Sequence, residues 1–257
     1  MTIWRRSAIS ILSVVSVLAL WQLAGTLRWV DPLLLPAPSE VLQTAVFLAA
    51  NGYQQVPLWQ HIFVSVARAL AAFFVAVLVG IPLGLLMGLN ASLDAALDPF
   101  IQFLRPLPKI ALIPLTVVWF GIGETSKFFL IFIACFLSVV VGASAAVLNV
   151  QRDRIRAAKL LGADRWQIFR FVIIPHTLPE LFTSVRLSIG IGWTALIAAE
   201  LVAATAGLGW MVLNAGNYLR TDIVILGILL LGIIGYALDL MLVLAQKHFV
   251  PWAGKDA

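Results

Sequence analysis

The chain has 257 residues, 62% of them hydrophobic and only 11% charged, with a net charge of +5 and a mean hydropathy of +1.03. Soluble domains carry about 25% charged residues, and a globule of this length has too little interior to hide so much apolar surface. That excludes a soluble fold, and it excludes disorder, which needs low hydrophobicity and high charge. The 17 Lys and Arg set against 12 Asp and Glu make a poor phosphate-binding surface, so no nucleic-acid partner is expected.

A helix of about 20 apolar residues crosses a bilayer core of about 30 Å. Six such spans are predicted, at about residues 7–27, 64–89, 101–121, 128–148, 186–205 and 223–245, in an all-α integral membrane chain read as a single domain over 1–257. The first follows Arg5 and Arg6 and could also be a signal peptide, but its run of about 21 residues exceeds a usual signal core and no small-x-small site closes it. After it, Pro36-Ala37-Pro38-Ser39 ends an extended stretch. Ser39 is expected to cap a short interfacial helix, with Glu40 in its first turn and Val41, Leu42, Ala45, Val46 and Ala49 on its apolar face.

The second span holds Gly80, Gly84 and Gly88, which share one helix face and suit close packing of another helix; a lumen-lining role is the alternative. The third carries Arg105 and Lys109 and is broken by Pro106, Pro108 and Pro114, so it is expected to be irregular. Cys135 sits among apolar residues of the fourth and is expected in the core, too isolated for a disulfide or a metal site. The fifth span contains Glu200, 14 residues or about 21 Å beyond Arg186, with Trp193 and Thr194 up to two turns before it. An ionisable group inside a span either faces a pathway or gate, with Trp193 and Thr194 beside it, or is a buried carboxylate satisfied by neighbouring helices; both readings stand. Glu124 is expected in a turn, serving docking or solvation.

With both termini cytoplasmic, 13 of the 17 Lys and Arg fall on the cytoplasmic side and only Arg28, Arg68, Lys127 and Arg220 outside, which orients the chain. The tryptophans agree: Trp29, Trp59, Trp119 and Trp210 fall near outer ends and Trp4, Trp166 and Trp252 near inner ones.

The loop 149–185 has six Lys or Arg against three acids. It reads as a helix with Ala157-Ala158, a turn at Gly162, a new cap at Ala163-Asp164, and a second helix with Trp166, Ile168, Phe169 and Val172 on its apolar face. A basic loop touching anionic lipid would look similar, but it needs no small residues at fixed offsets.

Those offsets resemble the inner-loop motif of the permease subunits of bacterial ABC importers: Glu-Ala-Ala, three residues, Gly, nine residues, Ile, one residue, Leu-Pro. Here Arg156-Ala157-Ala158, Gly162, Val172 and Ile174-Pro175 keep the spacing, with Arg156 reversing the charge of the Glu. Similarity extends through Leu35–Val41, Gly80 to Gly88, Trp119–Lys127, Ala198-Ala199-Glu200, Gly207-Leu208-Gly209 and Thr221-Asp222, roughly residues 33 to 250. It is similar to permeases for nitrate, bicarbonate, aliphatic sulfonates and taurine, with the taurine branch nearest. The resemblance implies a type I ABC importer permease fold in the bacterial inner membrane. A second copy of the chain, two ATP-binding cassette subunits and a solute-binding protein are the implied partners. Ala157, Ala158, Leu160, Leu161, Gly162 and Ala163 would form the coupling helix that docks on the ATPase, with Ile168 adding a buried contact. Gly207, Gly209 and Asn217 would belong to the surface met by the binding protein. An ion-coupled secondary transporter is the competing class, but no paired repeat accompanies Glu200.

No Gly-x4-Gly-Lys-Ser/Thr phosphate loop is present, so ATP and Mg are expected on a separate subunit and this chain is not expected to be an enzyme or to bind a cofactor. His61, expected at the outer interface, and His176 and His248, in inner polar regions, lie on different segments and suggest no metal site.

Overall fold

The computed structural model describes residues 3–252, which are helical apart from connections and one isolated bridge between Tyr53 and Val56. In chain order the helices are α1 (Ile3–Thr26), α2 (Pro38–Asn51), α3 (Leu58–Leu89), α4 (Ala91–Leu104), α5 (Ile113–Phe120), α6 (Glu124–Leu148), α7 (Arg152–Leu160), α8 (Arg165–Ile168), α9 (Ile174–Ala203), α10 (Leu208–Asn217) and α11 (Thr221–Phe249). Among the described residues five helical runs are long and apolar enough to cross a membrane: those of α1, α3, α6, α8 through α9, and α11. The pair α4 and Lys109–Phe120 makes a sixth if it counts as one span. The side chains of Trp4, Arg5 and Arg6, and the whole of Lys255, lie outside the described residues.

The chain forms two compact units, one of residues up to Val64 with Thr205–Gly232, the other of Ser65–Ala204 with the residues from Ile233 on. In the first, every residue of α1 from Ile9 to Leu20 is exposed. An apolar helix bare along its length is built for contact with lipid. Its last turns hold α2: Trp21 Nε1 donates to the Pro36 carbonyl at 3.0 Å, the Gln22 amide pairs with Ser39, and Gly25 lets Ala37 approach. Ser39 is therefore not the cap. Ala37 precedes the first turn, Pro38 opens the helix, and the Glu40 carboxylate accepts from the Ala37 N–H at 3.0 Å, because proline suits a first helical position whose N–H would be unpaired anyway. Thr44 donates to Asp222 at 2.8 Å and the Thr221 hydroxyl to the Leu33 carbonyl, so the start of α11 is pinned to α2 and the segment before it.

The second unit is built on α6, whose residues Leu130, Ile131, Ala134, Cys135, Val139, Val140, Ala143 and Ala146 are all buried. The three glycines of α3 meet it in register: Gly80 faces Val139, Gly84 faces Val140 and Ala143, and Gly88 faces Val147. A methyl group on Gly84 would sit 2.6 Å from Ala143 Cβ, so the glycine lets the two helix backbones approach closely. On α6 and α9, Gly142 faces Ser184 and Gly192 faces Cys135, by the same device.

The Pro-rich span is not one helix. α4 starts at Ala91, ahead of the predicted 101, and the chain then bends by 94° before Lys109–Phe120. Pro106 and Pro108 remove two N–H donors there. The Lys109 ammonium fills the gap by donating to the carbonyls of Leu104, Arg105 and Leu107, each at 3.0 Å, which also sets a cation at the carbonyl end of α4.

Candidate functional site

The first candidate is the loop from α7 to α9. α7 ends in a tight turn made by Gly162, whose φ of 84° lies where L side chains are strained. Gly162 N–H donates to the Lys159 carbonyl and Ala163 N–H to the Ala158 carbonyl, both at 3.0 Å, the paired bonds of a glycine C-terminal motif. Asp164 then caps α8: its carboxylate accepts from Gln167 N–H at 2.8 Å while the Gln167 side chain accepts from Asp164 N–H at 2.9 Å. A π-helical turn, Phe169–Ile173, carries the chain into α9, with Pro175 in its first turn.

This geometry divides the predicted coupling residues. Ala158, Ala163, Ile155 and Phe169 pack against a core of Leu85, Ala143, Val147, Val150, Ile168, Ile173 and Leu181. Ile168 is 6% exposed, so it holds the loop onto its own chain and is not free to contact a partner, because the helical repeat turns it inward. Ala157 and Gly162 are exposed, and Leu160 and Leu161 are 89% and 88% exposed. Two bare leucines beside a glycine turn, at the end of a helix with five charged residues, form an exposed apolar patch. Arg156 stands outside the packed face and reaches Asp153 at 3.4 Å.

The second candidate surrounds Glu200, which is fully buried on α9. Ser65 Oγ donates to both carboxylate oxygens, at 2.8 and 2.9 Å, and Arg68 Nη1 donates to one at 2.7 Å. The same guanidinium turns its Nε and Nη2 to the two oxygens of Glu124, at 2.6 Å each, and Lys127 Nζ reaches Glu124 at 2.8 Å. Glu124 is the first residue of α6, just past the turn expected to hold it, and is ion-paired; its negative charge also suits a helix N-terminus. α3, α6 and α9 are thus tied by alternating charges. The predicted neighbours of Glu200 are elsewhere: Trp193 is buried against Gly235 of α11, and Thr194 is exposed with its hydroxyl donating to the Ile191 carbonyl at 2.7 Å.

The third candidate is the segment before α10. Gly207 and Gly209 are buried, which removes them from the docking surface expected for them; Asn217 is exposed. The reason is His61, which is fully buried. Its Nδ1 accepts from Gly207 N–H at 3.1 Å, so Nε2 carries the proton and donates to the Tyr53 carbonyl at 3.3 Å. The imidazole stacks on Trp210 at 5.7 Å, and the Tyr53 hydroxyl, its pKa pushed up by burial, donates to Asn214 at 2.7 Å. Gly207 adopts φ 131° to present that N–H.

Residues 80–255 match the family described as binding-protein-dependent transport system inner membrane component. The chain belongs to this permease family. It is 46% identical to the taurine transport system permease protein TauC of Escherichia coli, over 98% of this chain and 92% of that one. It is 36% identical to SsuC of Escherichia coli, named for aliphatic sulfonates transport, over 93% and 89%. It is 32% identical to the riboflavin transport system permease protein RibX of Chloroflexus aurantiacus, over 91% and 86%. Among solved structures, an inward-facing methionine ABC transporter MetNI aligns with a TM-score of 0.62 at 21% identity, covering 81% of this chain and 97% of that one, so the ABC importer permease fold is shared.

In this permease, sequence reasoning missed Ser65, Arg68 and Lys127 as partners of the two glutamates. Arg68 and Lys127 count in the sequence only as charges that set topology. The available signal was the cost of a buried carboxylate, which demands a cation without saying which one.

Proposed function

We propose that this chain is the membrane-spanning subunit of an ATP-driven importer of taurine, working as a pair of copies with two ATP-binding cassette subunits and an external solute-binding protein. The exposed Leu160–Leu161 pair beside the Gly162 turn carries this reading: it is a rigid apolar knob, braced by Ala158, Ala163 and Ile168 on the permease core and left bare by the described residues. The knob docks on the ATPase subunit, which holds ATP and Mg; this chain binds no cofactor and performs no hydrolysis. ATPase closure displaces the knob, and the π turn and α9 pass the motion into the spans. Rigid transmission requires a loop that does not fold independently, and Ile168 and Ile173 in the core meet that need.

The excess of Lys and Arg on one side supports a cytoplasmic position for both termini and the 149–185 loop in a bacterial cell. The binding protein then meets the opposite face, where residues 216–220, Asn217 among them, are exposed, while Gly207 and Gly209 shape the segment behind it. Lipid covers α1. The Arg68–Glu200–Glu124–Lys127 network fixes the ends of three helices, and its exposed member, Glu124, is the one that a gating movement can release.

Taurine is assigned through the relative named for it, and an aliphatic sulfonate is the second reading, through SsuC. The test is uptake into proteoliposomes holding the permease and its ATPase. Taurine accumulation that requires both ATP and the binding protein is expected; accumulation driven by an ion gradient without ATP refutes the importer reading. Uptake of alkanesulfonate but not taurine refutes the choice of solute.

A further inference from the structure

Two more charged side chains lie inside the helices of the second unit. Arg186 of α9 and Asp239 of α11 form a two-pronged ion pair, Nε to Oδ1 and Nη2 to Oδ2, the second at 2.7 Å. Asp239 is flanked by the uncharged runs Ile223–Leu238 and Leu240–Ala245, so roughly 9 Å of apolar helix separates it from the polar Gln246. The two side chains are nevertheless 44% and 34% exposed.

A charge facing hydrocarbon within a span is costly, and such groups turn to a bundle interior or a water-filled cavity. The same side of α9 agrees. Thr183, Gly190 and Thr194 are all exposed and lie three before, four after and eight after Arg186, spacings that place them on its face. Tyr236, one turn before Asp239, is 69% exposed.

We infer that Arg186 and Asp239 line the solute path and together recognise a small zwitterion bearing an oxyanion at one end and an ammonium at the other, an inference that rests on the import reading above. The planar guanidinium fork offers an oxyanion the same two donors it now gives Asp239. The freed carboxylate then takes the ammonium. A zwitterion inserts between the pair and leaves neither side chain uncompensated; a simple anion would strand the Asp239 charge, so the pair discriminates by what it rejects.

The test uses the complete transporter in proteoliposomes. If the unaltered transporter does not take up taurine, the taurine reading fails and this assignment with it. If it does, the double variant Arg186→Gln/Asp239→Asn is expected to lose at least fivefold in taurine uptake at equal protein; a smaller loss overturns the assignment alone. A merely structural pair would tolerate this change, because removing both charges leaves none unpaired. Thr183→Cys reads the same claim with the pair intact. It is expected to react with a charged, membrane-impermeant methanethiosulfonate, the native Cys135 being fully buried. No reaction above that of the unaltered transporter overturns the assignment.

Discussion

Replacing Arg68 by Met removes the cation that Glu200 meets in the interior. The Glu200 side chain is 0% exposed and that of Arg68 10%, so water cannot take the place of the guanidinium. Removing one member of a buried pair costs about 3–5 kcal/mol, because the surviving charge stays desolvated. At about 2–4 °C per kcal/mol for a chain of this size, the thermal midpoint of the purified permease in detergent should fall by roughly 6 °C or more. Two further variants isolate the effect of the buried charge. Arg156→Gln breaks a pair whose two side chains are 73% and 92% exposed, and exposed pairs contribute about 1 kcal/mol or less, so its midpoint should move by only a few degrees. Arg68→Met/Glu200→Gln should recover much of the loss, since no buried charge then lacks a counterion. The measurement is unfolding followed by tryptophan fluorescence or a thiol-reactive dye. If Arg68→Met shifts the midpoint no more than Arg156→Gln, or if the double variant is no better than Arg68→Met, the loss does not come from a stranded buried charge.

Gly84→Val should abolish accumulation of folded permease in the membrane, because the new side chain meets the Val140 carbonyl and Ala143 on α6; Gly123→Ala, with nothing within 4 Å, should accumulate normally. Lys109→Met strands three carbonyls at the bend after α4 and should lower the thermal midpoint and raise protease cutting between Leu104 and Ile113; unchanged cutting would show that the two prolines suffice. Gly162→Ala places a side chain at φ 84° and should cost about 1–2 kcal/mol locally, read as faster hydrogen exchange at the Ala163 N–H without a change in the exchange of α6.

The helix, glycine turn and helix of residues 152–168 were legible in the sequence because each punctuating residue acts locally: Gly162 alone tolerates the left-handed turn, and Asp164 caps three residues ahead. The Gly80, Gly84 and Gly88 face was legible for the same reason, since a fixed period fixes a face. What was not legible is tertiary. Arg68 and Glu200 are 132 positions apart, and nothing in either neighbourhood names the other. His61 carries no local sign that Gly207 will donate to it. Ile168 shares the loop with Leu160 and Leu161 and is equally apolar, yet it turns inward while they stay bare; only the packing of Val147, Val150 and Ile173 decides that. The bend after α4 was foreseen as irregular from its prolines, but the role of Lys109 depends on three carbonyls that converge only once the bend exists.

The proposed role of the Leu160–Leu161 knob is to transmit ATP hydrolysis into the membrane. It is tested most directly by measuring ATP-driven taurine uptake and thermal stability for Leu160→Asp/Leu161→Asp. Both side chains are almost wholly exposed in the permease, so the account predicts an unchanged thermal midpoint of the permease alone, loss of the ATPase on co-purification, and uptake reduced at least tenfold. Uptake equal to that of the unaltered transporter, with the ATPase still bound, would contradict it.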